Sequence, residues 1–396
     1  MITVHENKYR MTRIIQKSGA KKMKTNNNEW TEYALEDLLS YEQPTPYIVE
    51  STDYSDNYKT PVLTAGKSFI IGYTNETKGI YDNLPVIIFD DFTTSTQYVS
   101  FPFKVKSSAM KILTANTDIV LPKFIFYRMQ IIEFDHSTHK RYWIQQYSKI
   151  KVKIPSLPEQ EKIVSKIEEL FSELDNGVET LKKTKQQLAV YRQAVLKEAF
   201  DEIKEYVLLG QITSSRLGKM LDKEKNTGVL QPYLRNINVR WFSFDLSDLL
   251  EMRIEPSEHE KYSISKGDLI ICEGGEPGRC AIWEEDDTMF YQKALHRVRF
   301  TNGSNPKFYM YYLWFAAQTG KLTPFFTGMG IKHLTGQSLV KVPVPNASRG
   351  QQDCVIEEIE ARLSVCDSIE KTVDTALQQA EAMRQSVLKK AFEGEL

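Results

Sequence analysis

The sequence has few of the residues that build metal sites or disulfide frameworks. Four cysteines occur in 396 residues, and none belongs to a CxxC pair. His136 and His139 form one close histidine pair, without a cysteine cluster beside it. Because a zinc site needs about four ligands at workable spacing, we expect no metal site. Sparse, unpatterned cysteines are typical of a reducing compartment, so the sequence indicates a cytoplasmic protein.

Long apolar runs are also missing. No run of about 18 or more apolar residues is present, and the N-terminus lacks the apolar core of a secretory signal. We therefore expect no transmembrane span and no membrane partner. Residues 1–29 are basic and polar, which predicts an N-terminal extension. This extension is either a disordered segment or a basic arm that touches DNA.

The common signatures of catalysis are absent. The GKS sequence at 66–68 has Pro61 where a phosphate-binding loop requires glycine, and no GxGxxG, GxSxG or NPPY-type motif occurs. Asp90 and Asp91 are adjacent carboxylates, but neighbouring residues of a strand point to opposite faces. A turn at the end of a strand therefore fits them better than a metal-dependent nuclease. We expect no catalytic residue and no cofactor in this chain.

The chain as a whole has almost no net charge, but its segments differ in charge. The net charge is −1. Residues 1–153 carry 20 Lys and Arg against 16 Asp and Glu, and residues 204–346 carry 18 against 16. Residues 154–203 carry 7 against 10, and residues 347–396 carry 6 against 10. Two mildly basic blocks thus alternate with two acidic ones, which allows DNA binding by local basic surfaces.

An internal repeat organises the chain. Residues 163–201 align without a gap to residues 355–393, and RQAVLKEAF at 192–200 matches RQSVLKKAF at 384–392. A proline-containing segment precedes each copy, with KIPSLPEQ at 153–160 and KVPVPNASRGQQ at 341–352. No proline lies inside either copy, so we predict two long helices, 159–201 and 352–393.

Apolar residues recur at heptad spacing in both copies, which predicts a coiled coil, and the order of one α/β segment before each helix predicts that the helices pair antiparallel. In the first copy one seam contains Ile167, Leu174, Leu181, Leu188 and Val195, and the other contains Ile163, Leu170, Gly177, Thr184 and Tyr191. In the second copy the seams contain Ile359, Cys366, Val373, Ala380 and Val387, and Val355, Arg362, Ile369, Ala376 and Met383. Two separate amphipathic helices are the alternative.

The segments before the helices are predicted to be mixed α/β. Short helices are expected at 30–39 and 308–318. Strand-rich runs are expected at 61–74, 85–105, 119–129, 233–244, 268–283 and 295–300. The predicted order is an extension at 1–29, an α/β domain at 30–153, a helix at 154–203, a second α/β domain at 204–346 and a helix at 347–396. The fold class is therefore two α/β domains separated by two long paired helices, with a pseudo-two-fold relation.

Candidate DNA-binding residues are hydrogen-bonding and basic side chains that occur in clusters, because base edges and phosphates require both. In the first domain these are Lys67, Ser68, Thr93, Thr94, Ser95, Thr96, Lys104 and Lys106. In the second domain they are Arg216, Lys219, Arg235, Asn236, Asn238, Lys293, His296, Arg297, Lys332 and His333. We expect the lysines at 104 and 106 to contact phosphate and residues 93–96 to select bases.

The sequence resembles the specificity (S) subunit of type I restriction–modification systems. The segments that carry the resemblance are PVLTAGKSFIIGYTNE at 61–76, PVIIFDDFTTSTQYVSFPFKVKSSAMKIL at 85–113, IPSLPEQEKIVSKIEEL at 154–170, PYLRNINV at 232–239, GDLIICEGGEPGRCAIW at 267–283 and GMGIKHLTGQSLVKVPVP at 328–345. The IPSLPEQ segment is the most specific of these. The second copy departs from it, since NASRGQQ replaces LPEQ.

The resemblance implies a non-catalytic subunit with two target-recognition domains, each recognising one half of a bipartite, asymmetric site in double-stranded DNA. It also implies that the long helices set the spacing of the half-sites and dock two methyltransferase (M) subunits, which motor-nuclease (R) subunits join. S-adenosylmethionine, ATP and Mg²⁺ would belong to those partners. A methyltransferase or nuclease with an unrecognised active site, and an S-like coiled-coil scaffold, stay open as alternatives.

Overall fold

Two long helices and two sets of short strands make up the chain in the computed structural model, which describes residues 30–64, 68–136, 141–222 and 224–396. The chain divides into two units. Unit 1 contains the described residues up to Lys183 together with Val373–Leu396, and unit 2 contains Thr184–Thr372. Each unit thus combines one α/β segment with part of each long helix. The predicted extension at 1–29 lies outside the described residues.

Unit 1 alternates short strands with two short helices before the first long helix begins. Its elements are β1 (Thr31–Ala34), α1 (Leu35–Leu38), β2 (Leu39–Glu42), β3 (Thr60–Leu63), β4 (Ile70–Thr74), β5 (Val86–Asp90), β6 (Thr96–Val99), β7 (Lys104–Val105), β8 (Met110–Ala115), α2 (Pro122–Met129), β9 (Lys151–Ile154) and α3 (Leu157–Asp201), which ends in unit 2.

Unit 2 repeats this order with different sequences. Its elements are β10 (Tyr206–Leu208), α4 (Leu209–Ile212), β11 (Thr213–Leu217), β12 (Val229–Leu234), β13 (Leu250–Ile254), α5 (His259–Tyr262), β14 (Ser263–Ile264), β15 (Leu269–Cys272), β16 (Cys280–Ile282), β17 (Met289–Tyr291), β18 (Leu295–Phe300), α6 (Pro306–Gln318), α7 (Gly336–Leu339), β19 (Pro343–Pro345) and α8 (Arg349–Glu393), which ends in unit 1.

The strand pairing shows that the two units share one topology. A four-stranded sheet in the order β2-β8-β5-β6 has its counterpart in β11-β18-β15-β16. A second sheet, β4-β3-β7, corresponds to β13-β12-β17-β14, and each contains one parallel pair. The antiparallel pair β1-β9 likewise matches β10-β19. The repeat found in the helical sequences therefore extends to the α/β segments, where the sequences have diverged.

Each unit encloses its own apolar core. The larger core of unit 1 joins Phe89, Phe124 and Trp143 to Ile167 of α3 and Phe392 of α8. The larger core of unit 2 joins Leu313 and Leu334 to Phe200 of α3 and Ile359 of α8. The long helices are thus part of both cores, because their apolar stripes supply residues that the small sheets lack.

The long helices run antiparallel in both units. In unit 2, Arg362 Nη1 lies 2.8 Å from a Glu198 carboxylate oxygen, and Arg192 Nη1 lies 2.7 Å from one of Glu370. In unit 1, Arg384 pairs with Asp175. Successive partners of α3 residues 198, 192 and 175 are α8 residues 362, 370 and 384. This opposite order confirms the antiparallel prediction. No helix among the described residues combines the length and apolar content that a membrane span requires.

The heptad prediction is correct for one seam and partly wrong for the other. All five residues of the Ile167 seam and all five of the Ile359 seam are buried. On the second seam of α3, Tyr191 is 44% exposed. Its hydroxyl accepts a hydrogen bond from Arg362 Nε, and the Arg362 guanidinium lies 5.5 Å from the ring centroid. These polar and aromatic contacts replace apolar packing at that position.

Two short predictions are wrong in type. Residues 119–129 were expected as a strand, but Pro122 occupies the first turn of helix α2, where its missing N–H has no cost. Residues 30–39 were expected as a helix, but only Leu35–Leu38 is helical, because Thr31–Ala34 pairs with β9. The predicted strand at 233–244 ends at Leu234. The helix at 308–318 and both long helices are confirmed.

Candidate nucleic-acid interface

Three chain segments meet where β5 ends in unit 1. The Asp91 N–H donates to the Ala109 carbonyl at 3.3 Å, and the Tyr142 N–H donates to the Asp91 carbonyl at 2.9 Å. The turn after β5 therefore lies between Ala109, which precedes β8, and the segment that contains Tyr142. We name this meeting point junction 1.

Unit 2 has the same arrangement where β15 ends. The Glu273 N–H donates to the Ala294 carbonyl at 3.0 Å, and the Leu334 N–H donates to the Glu273 carbonyl at 2.7 Å. Ala294 precedes β18 as Ala109 precedes β8. We name this point junction 2. Each unit thus brings three loops from distant parts of its sequence to one place.

An acid–base pair lies at each junction, fully buried in unit 1 and partly exposed in unit 2. In unit 1, Lys111 Nζ lies 3.2 Å from an Asp91 oxygen, and the side chains are only 1% and 2% exposed. Asp91 also accepts a hydrogen bond from the Trp143 N–H at 2.9 Å. In unit 2 the corresponding groups are His296 and Glu273, with His296 Nε2 3.8 Å from a Glu273 carboxylate oxygen. The Asp91 carboxylate therefore ties Lys111 and Trp143 to junction 1.

His296 serves the structure of junction 2. Burial lowers the pKa of its imidazole, which favours the neutral form, and Nε2 lies 3.0 Å from the Leu334 carbonyl. Since the carbonyl accepts, Nε2 carries the proton in this hydrogen bond. The side chain is 1% exposed, so the prediction that it contacts DNA does not fit its position.

The predicted base-selecting residues of unit 1 lie on the hairpin between β5 and β6. Asp90 Oδ1 accepts from the Phe92 N–H at 2.9 Å, and Asp90 Oδ2 accepts from the Thr93 hydroxyl at 2.8 Å. Thr94 has φ +57°, a left-handed conformation that is rare for a β-branched residue. His136 Nε2 lies 2.9 Å from Thr94 Oγ1 and 2.9 Å from the Thr93 carbonyl. The hairpin is therefore held in a defined shape.

The four residues of this hairpin differ in exposure. Thr93 and Ser95 are exposed and Thr94 is half-buried. Thr96 is buried, and its Oγ1 accepts a hydrogen bond from Gln130 Nε2 at 2.5 Å. Base contact by Thr96 therefore does not fit the structure, whereas the other three residues are available at the surface.

The two lysines predicted to contact phosphate have different surroundings. Lys104 is 3% exposed, its Nζ lies 2.8 Å from Glu76 Oε2, and it donates to the Lys78 carbonyl at 2.6 Å. A phosphate contact does not fit the position of Lys104, because its ammonium group is already engaged inside the unit. Lys106 and Ser68 are exposed. Lys67 lies outside the described residues.

In unit 2, four of the predicted residues gather at junction 2. Asn236 Nδ2 donates to the Gly274 carbonyl at 2.7 Å, and Lys293 directly precedes Ala294 of the junction. Lys332 and His333 directly precede Leu334. The His333 ring packs on Gly274, where an added Cβ would lie 3.0 Å from its Nδ1. Glycine at 274 is what allows this approach.

Most of the other predicted residues of unit 2 have internal partners. Lys219 is buried and pairs with Glu258, and Arg297 is buried and donates to the Ser263 carbonyl. The Arg235 guanidinium lies 2.6 Å from Asp248. Asn238 is buried, and Arg216 is exposed on β11. DNA contact by Lys219, Asn238 and Arg297 does not fit their burial, whereas Arg216 stays available.

Two features of the interface were missed by sequence reasoning. His136 and Arg141 flank the hairpin of junction 1, and the Arg141 guanidinium lies 5.9 Å from the Phe92 ring centroid. The second feature is charge. Residues 288–352 contain no Asp or Glu but eight Lys and Arg, namely Lys293, Arg297, Arg299, Lys307, Lys321, Lys332, Lys341 and Arg349. The charge count over residues 204–346 does not show this run, because the count includes the four acidic residues 284–287 that directly precede it.

Comparison with known proteins identifies the first part of the chain. Residues 27–189 match the model of the type I restriction modification DNA specificity domain. This part of the chain is similar to that family. The specificity domain thus covers the α/β segment of unit 1, including junction 1, and most of α3. The resemblance inferred from the sequence is confirmed.

Named relatives and solved structures agree with this assignment. The specificity subunit of the EcoR124I/EcoR124II type I restriction enzyme of Escherichia coli is 43% identical over 196 residues, which are 46% of this chain and 48% of the relative. The specificity subunit of the EcoKI enzyme of Escherichia coli K12 is 26% identical over 62% of this chain and 58% of its own length. The chain thus spans about half the length of the curated relatives that it matches.

The fold similarity covers nearly the whole chain. The HsdS subunit from Thermoanaerobacter tengcongensis superposes with a TM-score of 0.56 at 15% identity, over 93% of this chain and 97% of that one. A chain from a study of complex assembly in the type I R-M system gives a TM-score of 0.68 at 14% identity, over 93% and 98%. At such identity the likeness shows the fold, and it confirms the mixed α/β class with two long helices.

Proposed function

We propose that this chain is the DNA sequence-specificity subunit of a type I restriction–modification complex. The observation that carries the proposal is the repetition of one topology. Unit 1 contains the matched specificity domain, and unit 2 repeats its sheets and its junction with another sequence. Two copies of one DNA-binding architecture with different surface residues suit a bipartite, asymmetric site.

In this proposal each junction surface contacts one half of the DNA site. At junction 1 the contacts come from Thr93, Thr94, Ser95, Lys106 and Arg141. At junction 2 they come from Asn236, Lys293, Lys332 and His333, with Arg216 on the neighbouring strand. Hydroxyl and amide groups can bond base edges while lysines and arginines neutralise phosphates, so both surfaces offer the two kinds of group that DNA recognition needs.

The chain acts without catalytic residues of its own in this proposal. Two methyltransferase (M) subunits dock on the long helices, and motor-nuclease (R) subunits join them. S-adenosylmethionine, ATP and Mg²⁺ bind to those partners, and the complex works in the cytoplasm. The relatives support this division of labour, because they are named as specificity subunits. That the helices set the half-site spacing stays a prediction.

Reconstitution tests the proposal. The purified chain, an M subunit from the same host and both together are incubated with host DNA and labelled S-adenosylmethionine. We expect no transfer by either protein alone and transfer by the mixture. Methyl transfer by the chain alone would support a methyltransferase with an unrecognised site instead. A mixture that assembles but methylates the same sites as M alone would support a scaffold.

A further inference from the structure

One exposed apolar tip stands out at junction 2. The Thr327 N–H donates to the His333 carbonyl at 2.8 Å, and the His333 N–H donates to the Thr327 carbonyl at 2.9 Å. The five residues between them form a turn, which we call the 328–332 loop. At its tip, Met329 is fully exposed and Ile331 is 72% exposed. The loop thus presents two large apolar side chains to solvent at one point.

The loop is narrow and internally braced. Gly328 has φ +93°, and an added Cβ there would lie 2.3 Å from the Ile331 carbonyl oxygen, so only glycine lets the two arms close this tightly. The Lys332 ammonium donates to the Gly328 carbonyl at 3.0 Å. At the base of the loop, Leu334 is buried and bonded to Glu273 of junction 2. The tip is therefore a small, fixed projection on a rigid base.

The surrounding charge indicates what the tip meets. The loop lies within the acid-free run of residues 288–352. Within the described residues, Lys332 of the loop and Lys293 at junction 2 form no ion pair, so their charge is available to an anionic partner. A stable protein interface buries about 800 Å² on each side, which two side chains on a narrow turn cannot supply. A groove of DNA, in contrast, accepts one or two apolar side chains between cationic flanks.

We propose that the 328–332 loop is a wedge that inserts Met329 and Ile331 between base pairs at the half-site contacted by unit 2. This inference rests on the proposed function. Apolar side chains inserted at a base step unstack it at a cost of a few kcal/mol, which the contacts of the bent duplex offset. The wedge makes recognition depend on how easily one step unstacks, in addition to the hydrogen bonds made by Asn236 and Lys293.

Mismatched DNA tests the wedge, because a mismatch unstacks the step in advance. Duplexes carrying the methylated site are prepared with single mismatches placed in turn across and beside the unit 2 half-site. The complex of the chain with its M subunit is titrated with each duplex. We expect the wild-type complex to bind one mismatched duplex about tenfold more tightly than the intact one, which corresponds to about 1.4 kcal/mol.

The Met329→Ser, Ile331→Ser double variant should lose this preference and bind both duplexes with equal affinity. Val229→Ser is the matched control, because Val229 is an exposed apolar residue of the same unit, 60% exposed on β12, and should keep the preference. Unchanged melting temperatures of both variants exclude misfolding as the cause. Absence of the preference in the wild-type complex, or its retention in the double variant, would overturn the wedge.

A protein partner for the loop would give a different result. If the double variant failed to assemble with M during gel filtration, the loop would be a protein-docking element and the wedge would be wrong. If the wild-type complex bound methylated-site and random duplexes equally, the proposed function itself would fail. The two failures are therefore distinguishable.

Discussion

Lys104 and Lys106 are two positions apart and have opposite surroundings. The ammonium of Lys104 lies against Glu76 inside unit 1, and Lys106 is exposed. The hydrogen bond from Lys104, together with backbone N–H groups of residues 50 and 51, holds the pKa of Glu76 below its ordinary value. The first lysine is thus a structural residue and the second is available to DNA.

Matched variants of these lysines should separate stability from DNA affinity. We expect Lys104→Met to destabilise the chain by about 2 kcal/mol, because it leaves the half-buried Glu76 carboxylate without its cationic partner. Lys106→Met should leave stability unchanged and reduce the slope of log affinity against log salt by about one unit. Denaturant unfolding and DNA titrations in complex with M measure the two effects. If Lys106→Met had the same salt slope as the wild-type complex, Lys106 would not contact phosphate.

The pH dependence of stability follows from the same pair. Since the pKa of Glu76 is lowered by folding, its ion pair stabilises the protein above the unfolded pKa of about 4.3 and loses this contribution as pH falls through the folded pKa. We expect Glu76→Gln to weaken the acid dependence of the unfolding free energy between about pH 5 and pH 3. An identical acid profile for the variant would contradict the pairing.

Thr94 offers a test of strain at the hairpin of junction 1. Residue 94 has a left-handed backbone, with φ +57°. In this conformation an alanine is less stable than a glycine by about 1 kcal/mol. We therefore expect Thr94→Gly to unfold at higher denaturant concentration than Thr94→Ala, although both variants lack the hydroxyl. Both should relax base preference in one half-site of the methylated motif. Equal stability of the two variants would show that the hairpin adjusts its backbone.

Sequence reasoning identified surface clusters better than individual contacts. Asn236, Lys293, Lys332 and His333 come from separate segments, and the fold brings them together at junction 2. Lys219 and Arg297 were chosen by residue type, but they are buried against groups elsewhere in unit 2. A basic residue and its internal partner lie far apart in sequence, so the pairing is not visible until the chain is folded.

At the scale of elements, the two long helices begin with equivalent glutamines. Gln160 is buried, its Oε1 accepts from the Leu121 N–H at 2.8 Å, and its Nε2 donates to the Ile119 and Pro155 carbonyls at 2.9 Å. Gln352, which occupies the equivalent position, accepts from the Asn305 N–H at 2.7 Å and donates to the Ala347 carbonyl at 2.9 Å. The segments that precede the two helices differ in sequence, but both copies have this glutamine.

Loss of either glutamine should loosen only its own unit. We expect Gln160→Ala to cost about 3 kcal/mol, because it leaves one buried and two partly buried backbone groups without their side-chain partner. Hydrogen exchange should quicken at residues 119–121 in this variant, and near Asn305 in Gln352→Ala. Exchange that quickens equally throughout the chain in either variant would contradict a local role for these side chains.

The elements that could be predicted from sequence are those with a long periodic signal. Both 45-residue helices show heptad spacing over many turns, and their bounds differ from the prediction by three residues or fewer. Helix α2 was missed because its eight residues are rich in aromatic and β-branched side chains, which also suit strands. Sheet pairing could not be predicted, since each four-stranded sheet joins strands separated by long connections.

At the scale of the whole molecule, the two units share topology and differ in chemistry. Junction 1 has an aspartate–lysine pair beneath a threonine hairpin, whereas junction 2 has a glutamate–histidine pair beneath a glycine-bordered loop. Different surfaces on one architecture should contact different bases. The central claim is therefore that this chain selects the DNA sequence that its complex modifies, with one half-site for each unit.

Methylome sequencing of cells that express the M subunit tests this claim most directly. Three strains are compared, carrying no copy of this gene, the wild-type gene, or a gene in which residues 212–342 come from another specificity subunit. We expect a bipartite, asymmetric methylated motif only when the gene is present, and replacement of one half-site, with the other retained, in the exchanged strain. The same motif without the gene, or an unchanged motif after the exchange, would contradict the account.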